Sequence, residues 1–269
     1  MKPPSWNPLA FLEKLFPDTY LSAREPECSG KVTLLEWDSQ FFGSPMYRIE
    51  SLPSKEPNFL TSWIQSQTGP FYVSAEVPAE DSHALTELST SGFRLVETRL
   101  TYYHLLKNLP PQEKPTRKAG IEDIPFLKKT ASGAVNDYDK YHTDPFFSPE
   151  EASRYLETYI ANCVQGFSEE VCVPDHPNQA PPLAFAALSR IQPEGFSEPF
   201  FRIPLTACLP ENKGWHYHLC LKALHQASQK GGLALVMTTQ ATNKAVIHNC
   251  EKLGFKFGSC THIFSTFRR

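Results

Sequence analysis

Phe200-Phe201-Arg202-Ile203-Pro204-Leu205-Thr206-Ala207-Cys208-Leu209 reads as a strand, and Pro210-Glu211-Asn212-Lys213-Gly214 as the turn that ends it. A proline lacks the N–H that a central strand must donate, so Pro204 predicts an edge strand or a splayed one. From Trp215 to about Lys230, Leu219, Ala223, Leu224 and Ala227 are spaced to bury one helical face, and Gly231-Gly232 stop the helix. A β-rich run, Leu233 to Thr239, follows. Asn243 then opens a second helix that Gly254 closes. A helix entered through a glycine turn leaves several N–H groups free at its positive end, which suits an anion such as pyrophosphate. Lys213 adds a full charge there.

Working outward, the sequence carries an internal similarity. With Gly92-Phe93 placed over Gly254-Phe255, the strand Tyr72–Val77 falls on the strand ending at Thr239, and the preceding helices coincide. The following strands, Leu95–Leu106 and Phe257–Phe267, also correspond. The first copy has Asp81 where the second has Asn243, and no Lys-Gly turn precedes it. Nucleotide binding is therefore expected of the second copy alone.

Elsewhere, Val32–Trp37 predicts a strand, Asp38–Gly43 a turn, Met46–Ile49 a return strand, and Asn58–Gln67 and Ser82–Ser89 helices. Asp123 is placed to N-cap a helix reaching about Ala134, and Ser148-Pro149-Glu150-Glu151 opens another running to Gln165. Residues 136–148 lack periodicity and read as a loop. Strands are expected at Glu170–Val173 and Leu183–Ile191. Trp37, Phe41 and Phe42 are expected to be core aromatics.

The 269 residues allow one large or two modest domains. A net charge of −3 provides no basic footprint for nucleic acid. The sequence shows neither a spanning apolar run nor a signal-type N-terminus, which predicts a cytoplasmic protein without a membrane partner. Seven scattered cysteines fit reduced core thiols better than a disulfide framework. His216, His218 and His225 lack ligand spacing, so no metal is expected.

The turn Glu211-Asn212-Lys213-Gly214-Trp215-His216 and the helix phrase Asn243-x-x-Val246-x-x-x-Cys250-Glu251-Lys252-Leu253-Gly254-Phe255 resemble the GNAT superfamily of acetyl-CoA-dependent N-acetyltransferases. The resemblance spans roughly residues 117–269. The phrases Leu35–Gly43 and Gly92–Glu97 look like the N-terminal half of the dTDP-fucosamine, or amino-sugar, N-acetyltransferases. The resemblance implies an α/β (α+β) fold with a mixed, mostly antiparallel central sheet flanked by helices, preceded by a truncated GNAT-like domain. It divides the chain into an arm (1–30), the truncated domain (31–110), a linker (111–117) and the acetyltransferase domain (118–269).

By the same resemblance, backbone groups of Leu205, Thr206 and Ala207 would pair with the pantetheine arm. Those of Lys213, Gly214, Trp215 and His216 would hold the pyrophosphate, and Asn243 would bond the pantetheine. Glu211, His216 and Cys250 depart from the family pattern, Cys250 standing where a proton-donating Tyr is common. Cys250 is a candidate acid or nucleophile, and otherwise a small core residue. In the loop Asp137–Asp144, His142 is the candidate base, with Tyr138 and Asp144 as acceptor contacts.

The function implied is acetyl transfer from acetyl-CoA to a small amine, with a nucleotide-linked amino sugar favoured. A protein or peptide amine as acceptor, and a catalytically decayed CoA-binding module, are the alternatives. A homodimer is left open.

Overall fold

The computed structural model describes residues 30–53, 56, 58–134, 138–176, 180–192 and 197–269. The arm expected over residues 1–30 lies, apart from Gly30, outside them. In chain order the first elements are β1 (Lys31–Leu34), α1 (Glu36–Phe42), β2 (Met46–Ser51), α2 (Phe59–Ser66), β3 (Phe71–Pro78), α3 (Ser82–Thr90) and β4 (Arg94–Leu105). Next come β5 (Thr116–Lys118), α4 (Ile124–Gly133), α5 (Lys140–Thr143), α6 (Pro149–Asn162), β6 (Glu170–Pro174) and β7 (Ala184–Ile191). The last are β8 (Phe200–Ile203), β9 (Thr206–Cys208), α7 (Trp215–Gln229), β10 (Ala234–Gln240), α8 (Lys244–Lys252) and β11 (Lys256–Arg268). The fold is the expected mixed α/β one, with a mostly antiparallel sheet flanked by helices.

The chain forms two compact units, and neither is continuous in sequence. The first holds residues 1–100, 138–148 and 259–269, and the second 101–137 and 149–258. Residues 138–148 and 259–269, expected within the acetyltransferase domain, thus group with the first hundred.

In the first unit the strand order is β1-β2-β3-β11-β4, with β11 antiparallel to β3 from Thr261↔Pro78 to Arg268↔Phe71. Val73, Ala75 and Val77 of β3 pack with Leu60, Ala84, Leu88 and Phe93 to form its core. Residues 36–42, read partly as strand and partly as turn, are instead helix α1. Trp37 and Phe41, one helical turn apart, stack at 5.4 Å, Ser39 Oγ donates to Leu35 O at 2.7 Å, and Gly43 ends the helix at φ +66°. Trp37 is 42% exposed, so it is not a core residue. Phe42 packs against Met46, Tyr72 and Phe147.

In the second unit the order is β4-β10-β8-β7-β6-β5, with β9 paired to β7. Leu127, Ile160, Val171, Val173, Phe185 and Ala187 form its core under α4 and α6. Asp123 stands at the N-cap position of α4, as expected, but makes no side-chain cap bond there. It ends a 3₁₀ turn, Ile121–Asp123, where its carboxylate accepts Gly120 N–H at 2.9 Å and two bonds from Arg117 at 2.6 and 2.8 Å. Four buried and two partly buried cysteines are free thiols among the described residues.

The two copies of the repeat end in the same cap. Gly92 and Gly254 lie at φ +83° and +81°, Phe93 N–H reaches Leu88 O at 3.0 Å, and Phe255 N–H reaches Cys250 O at 2.9 Å. Both are Schellman motifs, in which glycine adopts the left-handed turn and the next residue packs inward. At the other end, Asp81 caps Ala84 N–H at 3.0 Å and Asn243 caps Val246 N–H at 3.2 Å. No atom lies near a Cβ built on Gly92, and only His104, at 3.7 Å, meets one on Gly254. Gly92→Ala and Gly254→Ala should therefore each cost about 1 kcal/mol from backbone strain alone. Denaturant melts of the two variants should give similar losses, whereas a negligible loss at either position would show that its cap does not constrain folding.

Candidate functional site

The second unit contains a place where two parallel strands part. β8 pairs with β10 over Phe200–Ile203 and Ala234–Met237. Pro204 then interrupts the strand, and β9 pairs with β7 while β10 runs on to Gln240. Of the two readings for Pro204, the splayed strand is the one found. β8 is central, with partners on both sides.

Ala187 N–H donates to Leu205 O at 2.9 Å, and Leu209 N–H to Leu183 O at 2.9 Å. In an antiparallel ladder the backbone groups alternate in direction. Those of Leu205, Ala207 and Leu209 therefore face β7, and those of Thr206 and Cys208 face the parted edge. Of Leu205, Thr206 and Ala207, the three residues expected along a pantetheine arm, Thr206 is the one whose backbone is turned toward the parted edge.

The turn after β9 is a 3₁₀ turn, Pro210–Asn212, followed by Lys213 and by Gly214 at φ +92°, which opens α7. That φ, rather than crowding, calls for glycine, because a Cβ there would meet no atom. The amides of the first turn of α7 have no carbonyl one turn back to bond. Burial pushes the Cys208 thiol up, opposed by hydrogen bonds from the His216 and Trp215 amides, and the thiol donates to Asn212 O at 2.8 Å.

Lys213, Gly214 and Glu211 are exposed. Trp215 is packed edge-on against His176, with Lys114 Nζ over its ring at 5.0 Å. The His216 imidazole is buried and points away from the turn, its Nδ1 accepting from Asn249 Nδ2 of α8 at 2.9 Å. Burial lowers its pKa to about 4, so the ring is neutral at pH 7.

Asn243 uses its side-chain oxygen as the N-cap of α8, so that its amide nitrogen takes no part in the cap. Cys250 is 1% exposed, and its thiol lies 3.7 Å from Met237 Sδ. Burial, with a contribution from Glu251, pushes the thiol up to about 12. Tyr102 of β4, which sequence reasoning did not single out, belongs to the same neighbourhood. Burial raises its phenol, and the Glu251 and Cys250 charges add to the shift. Its place could not be read from local sequence, because it sits on a strand from the first repeat.

The loop expected to contact an acceptor belongs to the first unit. Within it lies α5, four residues long and capped by Asp139, which accepts from Tyr141 N–H at 2.8 Å and His142 N–H at 3.1 Å. Asp139 also meets His142 Nδ1 at 2.9 Å, and the other ring nitrogen, Nε2, is buried without a partner among the described residues. The aspartate thus orients the imidazole and fits a proton-accepting ring.

Asp144 is fully buried. It accepts from Tyr72 Oη, Arg94 Nη2 and Phe146 N–H, each at 3.1 Å, and from the Ser265 hydroxyl. Tyr138 is 57% exposed. Asp144 therefore anchors the loop to β3, β4 and β11 of its own unit. Among the described residues no group of three His, Cys, Asp or Glu side chains is arranged to hold a metal, and no helix is long and apolar enough to cross a membrane.

The sequence matches no family model and no curated protein. Solved structures do resemble the fold. A GCN5-related N-acetyltransferase from Kribbella flavida is similar at a TM-score of 0.60 and 13% identity, over 96% of this chain and 95% of that one. A GCN5-related N-acetyltransferase from Sphaerobacter thermophilus gives 0.58 and 11%, over 88% and 76%. A tandem GNAT protein from the clavulanic acid biosynthesis pathway gives 0.52 and 11%, over 84% and 76%. At these identities it is the fold that is shared, and that fold is the GNAT one.

His216 supplies a pH test of the α7–α8 contact. Its folded pKa, about 4, lies below the value near 6.5 of an exposed ring. Between these values the unfolded chain binds the proton and the folded chain does not, so its contribution to stability is complete above pH 6.5 and falls away as pH drops toward 4. His216→Gln should flatten the stability–pH curve over that window relative to the parent. Parallel curves for the two proteins would show that the ring is not held neutral.

Proposed function

We propose that the chain is an acetyl-CoA-dependent N-acetyltransferase acting on a small amine. The observation that carries this reading is the parting of β9 from β10 immediately before the glycine turn that opens α7. An edge of unpaired backbone groups accepts a pantetheine arm as an added strand, and the amides at the start of α7, beside Lys213, suit a pyrophosphate. The donor set fits coenzyme A. Thr206 would pair with the pantetheine, with Leu205 and Ala207 fixing its strand against β7. The amides of Gly214, Trp215 and His216 would meet the phosphates, and the Asn243 amide would donate to the pantetheine. Bound acetyl-CoA supplies the acyl group.

Acyl transfer needs a neutral amine, a polarised thioester and a proton for the departing thiolate. His142, oriented by Asp139, is our proposed base for the amine proton. Cys250 is a poor source of the second proton. An ordinary thiol titrates near ~8.5, so a thiol held at about 12 gives up its proton to a thiolate only against a steep gradient. It is equally disfavoured as a thiolate nucleophile, and we assign it a packing role beside Met237. A nucleotide-linked amino sugar rests on the phrases at 35–43 and 92–97 and is the first acceptor class to try.

Calorimetry with acetyl-CoA tests the reading directly. The parent should bind, and Lys213→Ala should weaken binding by about tenfold or more, the effect of losing one charge-assisted phosphate contact. Absence of binding at millimolar acetyl-CoA would refute the proposal.

The chemical roles separate in two further variants. Cys250→Ser should lower thermal stability and leave turnover within about threefold, because the site loses packing and not a catalyst. His142→Gln should reduce turnover by about 10²-fold or more with acetyl-CoA affinity intact. The reverse pattern would exchange the two assignments.

A further inference from the structure

One cation of the second unit is built into a sheet without an anion among the described residues. Arg202 sits in the middle of β8, opposite Ser189 of β7 and beside Val236 of β10. Residues in register project to the same sheet face, so Arg202, Ser189 and Val236 share one. Thr238, two residues beyond Val236, projects to that face as well. It is exposed, whereas Val236, Met237 and Thr239 are buried. The sheet face is therefore open next to the point where β8 and β10 part, roughly 7 Å along the strand from Arg202.

The wall over this face is irregular in a way that serves it. α6 continues into a π-helical turn, Cys163–Phe167, which closes at Gly166 with φ +115°. Such turns recur at functional sites because they re-aim side chains. This one delivers Ser168, whose hydroxyl accepts from Ser189 Oγ at 3.1 Å. Burial pushes up the Tyr159 phenol and the Cys163 thiol, and the Arg202 charge opposes both shifts, so the guanidinium lies among these groups.

Four other arginines, Arg48, Arg94, Arg99 and Arg117, each meet a carboxylate. Arg202 has no ion pair among the described residues, and its Nε is buried without a hydrogen-bond partner. Arg202 is half-buried, and an unmade bond on its buried Nε is costly. An arriving oxyanion would remove that cost, and the planar fork of an arginine matches a carboxylate or phosphate in a paired contact.

We propose that Arg202 is the specificity residue of the acceptor pocket, pairing with a carboxylate or phosphate carried by the amine substrate. The proposal rests on the N-acetyltransferase reading. It makes the acceptor an amine that also carries an anionic group, and it excludes polyamines, whose charges Arg202 repels.

The test compares three amines of similar length, propylamine, β-alanine and 2-aminoethyl phosphate, by release of the coenzyme thiol with the parent, Arg202→Gln and Arg202→Lys. Separately, β-alanine and inorganic phosphate are titrated into each protein without acetyl-CoA, and acetyl-CoA is titrated alone. With the parent, one anionic amine should exceed propylamine in kcat/KM by about tenfold or more, and which one does so identifies carboxylate or phosphate. Arg202→Gln should abolish that preference through KM, Arg202→Lys should restore part of it, and acetyl-CoA affinity should stay unchanged.

A parent that uses propylamine as well as either anionic amine would overturn the proposal, even if both variants failed to fold. So would an anionic preference that survives in Arg202→Gln. Acetyl-CoA binding with no anion sensed through Arg202 would reject the subsite and leave the acetyltransferase reading standing. Arg202-dependent anion binding without acetyl-CoA binding would do the opposite.

Discussion

The parallel pairing of β8 with β10 stops at Ile203 and Met237, and the second unit depends on that stop. Two adjacent parallel strands would ordinarily continue until both end. Here Pro204 removes one donor and shifts β9 to a single partner, β7, while β10 continues for three residues. The result is a sheet that is continuous at one end and open at the other, with polar backbone left at the opening. Gly214 then starts α7 from the same loop, which brings helix amides close to the strand edge. A sheet defect and a helix terminus, each costly alone, become useful when six residues of turn join them.

Much of this was legible because its causes are local. Pro204, Lys213-Gly214 and the Asn243-to-Gly254 helix each act through backbone rules spanning a few residues. The repeat was legible for the same reason, since Gly-Phe after a helix with an Asp or Asn cap specifies one closing geometry wherever it occurs. Helix α1 was missed because Asp38-Ser39-Gln40 has the composition of a turn. The i, i+4 contact of Trp37 with Phe41 is visible only once the helical period is tried on a short segment. Four-residue α5 was hidden similarly, its existence resting on the cap at Asp139.

What sequence could not show were the partners separated by long stretches of chain. Asp144 looked like an acceptor contact because it lay in a polar, aromatic loop, yet its donors come from Tyr72, Arg94 and Ser265. The neighbour of β10 is β4, from the first repeat, and β11 pairs instead with β3. Thr101 of β4 therefore lies beside Thr238, with their hydroxyls 3.3 Å apart. Non-local pairing of this kind leaves no trace in periodicity or spacing.

The two faces of the second unit's sheet handle polar groups differently. Toward α7 and α8, buried ionisable groups are kept neutral. His216 is held near 4 and Cys250 near 12, so neither carries charge at pH 7. Toward α6, the Nε of Arg202 is buried without a hydrogen-bond partner among the described residues. Burying a neutral hydrogen-bonded ring costs little, whereas a buried guanidinium N–H left without a partner is costly. On the α7–α8 side, Asn249 and Met237 meet His216 and Cys250. On the opposite face the Arg202 Nε has no partner among the described residues, and the proposed anion would meet it. This asymmetry explains why the departures that stood out in sequence, His216 and Cys250, lead to packing, while the residue that points to chemistry, Arg202, looked like an ordinary strand residue until its missing partner could be seen.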